Sequence, residues 1–289
     1  MKIQHIFFLF LGIMLSSCST DDFLSVEENS ANIPSSSAPT ISAFLCPQDT
    51  IHKVQLLYTR PVVGRDLSRE WSNNVGKAIV TLSNGDQTIV LKSGGSNSSI
   101  FTIKAKDFQV EAGKTYTLNV TTYDGQKAEA SCTIPLNRVD IKKADTKEIT
   151  DVKYQSKKYL VTWEDIAKKK NYYAVYVLTK YVSITNKYVS VDQEDSENSI
   201  TDEGNDGGKM ATKKSFYMTP RQNFNDGSYR ITEIQILNTD VNFYRYQKDL
   251  ETLKITGDNP LVEPISVYSN VKGGFGVFAG YTRANGFFK

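Results

Sequence analysis

Residues 114–134 read KTYTLNVTTYDGQKAEASCTI. In an extended chain Tyr116, Leu118 and Val120 fall on one face and Thr117 and Asn119 on the other, because successive strand side chains alternate. Asp124-Gly125 then supplies residues that tolerate the positive φ of a tight hairpin, and a second run, Lys127–Ile134, follows. One apolar and one polar face mark strands half buried in an antiparallel sheet. The same pattern recurs upstream at Ser42–Pro47, Lys53–Arg60, Lys77–Ser83, Gln87–Lys92 and Ser99–Ala105, with a second turn at Asn84-Gly85-Asp86. Short strands so spaced predict a mainly β chain with an N-terminal immunoglobulin-like β-sandwich over residues 38–136. Tyr116, just after Glu111-Ala112-Gly113-Lys114, stands where such a fold carries its tyrosine corner.

Downstream, residues 139–289 predict a second β-rich domain. Tyr159–Trp163 places Tyr159, Val161 and Trp163 on one face, with Trp163 read as a core residue. Residues 171–181, NYYAVYVLTKY, are apolar enough for a strand buried on both sides, and Ser215–Thr219 and Tyr229–Leu237 carry further strand signals. Residues 192–209 break the pattern and read as an acidic, glycine-bearing loop. One short helix is predicted over about 241–254. Phe243, Tyr246, Leu250 and Leu253 share its apolar face, Asp240 is its N-cap, and Arg245, Lys248 and Glu251 face water. Gly257-Asp258-Asn259-Pro260 ends it. The glycine-rich run Gly273-Gly274-Phe275-Gly276 lacks the Gly-Lys-Ser/Thr ending of a phosphate loop, so it reads as a strand packed closely against other backbone.

The N-terminus predicts export. Lys2 precedes an apolar run, Ile6 to Leu15, too short to span a bilayer but right for a secretory signal. Leu15-Ser16-Ser17-Cys18 resembles the lipobox of bacterial lipoproteins. That resemblance implies a signal peptide over 1–17, thioether lipidation of Cys18 with diacylglycerol and further acyl chains such as palmitate, and a tether over 18–37. Acyl chains at about 0.8 kcal/mol per buried methylene make a lasting anchor. Acidic Asp21 and Asp22 behind Cys18 resemble an export tag to the outer face of the outer membrane.

Composition narrows the function classes. A formal net charge of +2 gives no basic stripe for nucleic acid. Cys46 and Cys132, one near each end of the first domain, admit two readings: a disulfide, or two buried thiols. Once the signal is removed, His52 is the one histidine, so neither a zinc site nor a Ser-His-Asp triad is supported. No catalytic residues or cofactor are assigned, and a non-enzyme is expected. Asp192, Glu194, Asp195, Asp202 and Asp206 offer oxygens suited to calcium but lack EF-hand spacing, so no metal is expected.

A family resemblance covers nearly the whole mature chain. Residues 78–85 (AIVTLSNG), 113–120 (GKTYTLNV), Trp163-Glu164-Asp165 with Asn171-Tyr172-Tyr173, and residues 267–280 (VYSNVKGGFGVFAG) carry it. Together with the lipobox they resemble Bacteroidetes lipoproteins of the domain-of-unknown-function 4249 family. The resemblance implies a surface lipoprotein of the outer membrane that serves as accessory or substrate-binding partner to a TonB-dependent receptor. The rival expectation is a structural or adhesive cell-surface protein. No small-molecule, glycan or peptide ligand is assigned.

Overall fold

The computed structural model describes residues 37–60, 68–151, 156–256 and 266–288. Eight strands build the first sandwich: β1 (Pro39–Leu45), β2 (Ile51–Tyr58), β3 (Ile79–Ser83), β4 (Thr88–Val90), β5 (Lys92–Ser93), β6 (Ile100–Lys104), β7 (Thr115–Thr121) and β8 (Lys127–Thr133). The alternation of residues 114–134 is realised: Tyr116, Leu118 and Val120 are buried on β7, and Ala128, Ala130 and Cys132 on β8. Their sheet runs β4-β3-β7-β8 and packs on β1, β2 and β6. Phe101, Leu56, Ile41 and Leu82, all fully buried, interdigitate between the two layers. The tyrosine corner forms as expected. Tyr116 is buried, and its hydroxyl accepts from the Glu111 backbone N–H at 2.7 Å. Tyr116→Phe keeps the ring and orphans that donor, so it should lower the unfolding free energy by about 1–2 kcal/mol. An unchanged urea midpoint would exclude a stabilising role for the corner.

The second sandwich comprises β9 (Asp145–Asp151), β10 (Ser156–Glu164), β11 (Tyr172–Ser183), β12 (Tyr188–Thr201), β13 (Lys209–Ala211), β14 (Gln222–Asn223), β15 (Tyr229–Thr239) and β16 (Phe275–Phe287). Its layers, β13-β10-β9 and β12-β11-β15-β16, repeat the orders β6-β2-β1 and β4-β3-β7-β8 of the first sandwich, with β5 and β14 as strands that have no counterpart. Trp163 lies at 0 % exposure in this second core, edge-on to Tyr173 at 5.4 Å. The predicted acidic loop is corrected here. Residues 192–201 belong to β12, hydrogen-bonded to β11 with two register shifts, and only 202–208 turn. Cross-strand pairing to the apolar β11 overrides the low strand propensity of Asp, Glu, Ser and Asn. Ser215–Thr219 forms no strand, only a bridge at Phe216 to Tyr159.

The second core starts at Val139, but the first, built on residues 41–134, also takes in Val271 and Phe278 from beyond the predicted boundary at 136–139. The sheets cross that boundary as well. β16 pairs antiparallel with β15 over Tyr281–Phe287, and its first half pairs in parallel with β1, from Thr40↔Phe275 to Leu45↔Gly280. One nine-stranded sheet therefore runs through both sandwiches, and the described residues lie in one compact unit.

The helix Val241–Thr256 lies across that shared sheet. Asp240 caps it, its Oδ1 accepting from Phe243 N–H at 2.9 Å. Phe243 is buried against Ala174, Leu237, Val277 and Ala279, with Phe44 edge-on at 5.3 Å. Two expectations fail. Leu253 is 38 % exposed, because it points away from the sheet that Glu251, two residues earlier, faces. Glu251 faces inward, where its carboxylate accepts from Asn198 N–H at 3.2 Å and from the Ser199 hydroxyl. Among the described residues no helix is long and apolar enough to cross a membrane.

Candidate functional site

Cys18, the signal over 1–17 and all of the tether but Ser37 lie outside the described residues. Cys46 and Cys132 are both buried and free, so the disulfide reading is corrected in favour of two thiols. Cys46 ends β1 in the nine-stranded sheet and turns its S–H to Gln48 Oε1 at 3.1 Å. Cys132 sits on β8 in the opposite layer, beside Tyr116. Burial pushes the Cys46 thiol up to about 11 and raises that of Cys132 as well. Both stay protonated and are poor nucleophiles at neutral pH. His52 is 1 % exposed on the core face of β2, and neither ring nitrogen has a hydrogen-bond partner among the described residues. Burial lowers its pKa, which keeps it neutral.

The acidic candidates separate into two groups. Asp192, Glu194 and Asp195 lie along β12, where Asp192 pairs with Arg230 at 3.0 Å and Asp195 with Lys214. Asp202 and Asp206 instead meet Asp165, named above only within the family resemblance and not as a ligand, with ligand atoms within 4.8 Å of one another. The β10–β11 and β12–β13 connections bring these three together. Four of their oxygens already hold protein donors. Asp165 Oδ1 accepts from the Tyr173 hydroxyl at 2.5 Å and Oδ2 from Gly207 N–H at 2.7 Å. Asp202 Oδ2 accepts from Asn171 N–H at 2.8 Å, and Asp206 Oδ1 from Lys168 N–H at 2.7 Å. Calcium takes six to eight oxygens. Here the carboxylates are occupied in lacing two loops together.

The other concentration of polar chemistry is the seam where β16 passes from one sandwich to the other. Asp49, in the loop after β1, pairs with Arg283 at 2.9 Å. Arg283 N–H donates to Gln48 Oε1 at 2.8 Å, and the Tyr281 hydroxyl reaches Asp49 at 3.5 Å. On the linker side the Asn137 carbonyl accepts from Asn238 Nδ2 and the Thr282 hydroxyl, both at 2.9 Å. Asp240 Oδ2 accepts from Gly280 N–H at 3.1 Å while the carboxylate caps the helix. Burial pushes the Asp240 carboxyl up to about 6. These residues are scattered through the sequence without a motif, and only the β1–β16 pairing collects them.

No curated protein matches this sequence. Among solved structures, the chain is similar to the crystal structure of chicken CNTN1 FN1–FN3 domains at 14 % identity and a TM-score of 0.24. The match covers 72 % of this chain and 62 % of that one, so the chain spans under two thirds of that structure's length. At the level of sequence the assignment is direct. Residues 26–286, which take in both sandwiches up to the penultimate residue of β16, match the model of one family, and the chain belongs to that family, described as a domain of unknown function, DUF4249.

Proposed function

We propose that this chain is a lipoprotein of the outer membrane, exposed at the cell surface. In this reading it is held by lipid on Cys18 and acts without catalysis as an accessory or substrate-binding partner of a TonB-dependent uptake system. The observation that carries the reading is the sequence from Ile6 to Cys18, an apolar signal of export length ending in Leu15-Ser16-Ser17-Cys18. The topology is compatible with it. The chain enters at the start of β1, level with Phe275, while β16 runs 13 residues to Phe287. At about 3.3 Å per residue, the far end of β16 stands roughly 40 Å along the strand from the start of β1. The partner is inferred from the family resemblance alone.

Labelling growing cells with palmitate tests the anchor. The chain should take up label and fractionate with outer membrane, and Cys18→Ser should abolish both. Uptake of label by the serine variant would sink the assignment of Cys18. Protease added to intact cells should degrade the chain if it faces outward, and stoichiometric co-purification of a TonB-dependent receptor is expected. A surface-accessible chain recovered alone would replace the uptake role with independent adhesion.

A further inference from the structure

Between the loop after β1, the inter-sandwich linker and β16 lies a cavity of about 630 Å³, bordered by Gln48, Arg138, Asp140, Lys142, Arg283 and Asn285. Three cationic side chains border it against one acid. That acid, Asp140, is already engaged, its Oδ1 accepting from Lys142 N–H at 3.1 Å. Neither Arg138 nor Lys142 has a carboxylate partner among the described residues, whereas neighbouring Lys143 pairs with Glu164 at 2.6 Å. Arg283 gives one arm to Asp49, and its Nε–H is buried with no acceptor among the described residues. Gln48 spends its amide oxygen on Arg283 N–H and the Cys46 thiol, so its NH₂ end is left to donate. One wall is apolar, formed by Val139, Ile141 and Ala284.

From this arrangement we propose that the cavity binds a small organic anion carrying at least two carboxylate or phosphate groups. Planar guanidinium groups match both oxyanions in bidentate geometry, and a lysine adds a point charge. The volume falls in the range of small-molecule sites, about 300–1,000 Å³, larger than an inorganic ion needs. The position, at the junction of two sandwiches joined by one strand, is where ligand clefts commonly form. The site goes beyond the proposed role and does not depend on the lipid anchor.

The test is isothermal titration of the full chain in detergent with citrate and with fructose 1,6-bisphosphate, and with glucose as the neutral control. At least one of the two anions should bind in the submillimolar range, with affinity falling as salt rises, and glucose should not bind. Arg138 and Lys142 are exposed. The Arg138→Gln, Lys142→Gln double variant should therefore fold, as an unchanged melting curve would verify, and should bind at least about tenfold more weakly. No heat from either anion up to about 10 mM would overturn the site, as would an affinity in the double variant within about twofold of the parent. Either failure alongside normal palmitate labelling leaves the lipoprotein reading standing.

Discussion

Gly276→Ala is expected to lower the unfolding free energy by about 3 kcal/mol or more. Two penalties coincide. The backbone at Gly276 has φ of +101°, a region in which a β-carbon is strained. The added carbon would also stand 1.9 Å from the Ile41 carbonyl oxygen and 2.9 Å from its carbon, which are backbone atoms and not a pliable side chain. β1 has no room to retreat. Ile41 is fully buried in the first core and is paired across β1 with Leu56 on β2. Relief therefore requires breaking the parallel ladder between β1 and β16, which joins the two sandwiches. Gly85→Ala is the control, since Gly85 has a similar φ of +94° with nothing within 4 Å of the added carbon. It should cost only about 1–2 kcal/mol from backbone strain. Equal losses at the two positions in urea titrations would mean that the close approach of β1 and β16 is absent.

The contrast between those glycines marks how far sequence reading reaches. Alternation along residues 114–134 was legible because each hairpin satisfies its own pattern locally, and Tyr116 and Asp240 stood at positions where a corner and a cap are local geometry. The acid-rich strand β12 carries no alternation that a period of two would reveal, and its partner β11 supplies the order. The paired halves of β16 were hidden for a related reason. Its glycines announce close packing but not the strand they pack on, and the seam joins residues such as Gln48 and Arg283 that lie 235 positions apart. The same distance hid the cations around the junction cavity, since Arg138, Lys142 and Arg283 form no motif in the chain. Asp165 belongs to a family motif, but its place in a carboxylate cluster is not legible in sequence, because Asp202 and Asp206 arrive on a different connection.

Asp240 should make the seam sensitive to pH, with a sign opposite to that of most helix caps. A carboxylate at a helix N-terminus is ordinarily stabilised by the dipole and by free N–H groups. Here desolvation outweighs the bonds from Phe243 and Gly280, and the carboxyl of the folded chain sits near 6 instead of the ordinary 3.8. Between those values the folded chain holds a proton that the unfolded chain releases. The contribution to stability is therefore complete below about pH 4, declines as pH rises to about 6, and is flat above. At about 1.4 kcal/mol per unit the ceiling is near 3 kcal/mol, and partial exposure of the group reduces the expected loss to about 2 kcal/mol. His52 acts in the other direction. Its pKa is lowered by burial, so its contribution is present above about 6.5 and is lost as pH falls. The two opposing trends would blur the profile of the parent chain alone. The informative quantity is the difference in unfolding free energy between the parent and Asp240→Asn, in which His52 cancels. Asparagine caps about as well as aspartate and does not titrate. That difference should move by about 2 kcal/mol in favour of the asparagine variant between pH 4 and 6.5, then stay constant. A difference that moves toward the parent as pH rises would show that the helix dipole and the backbone donors prevail over burial, and that the seam is locked by a charge instead of strained by one.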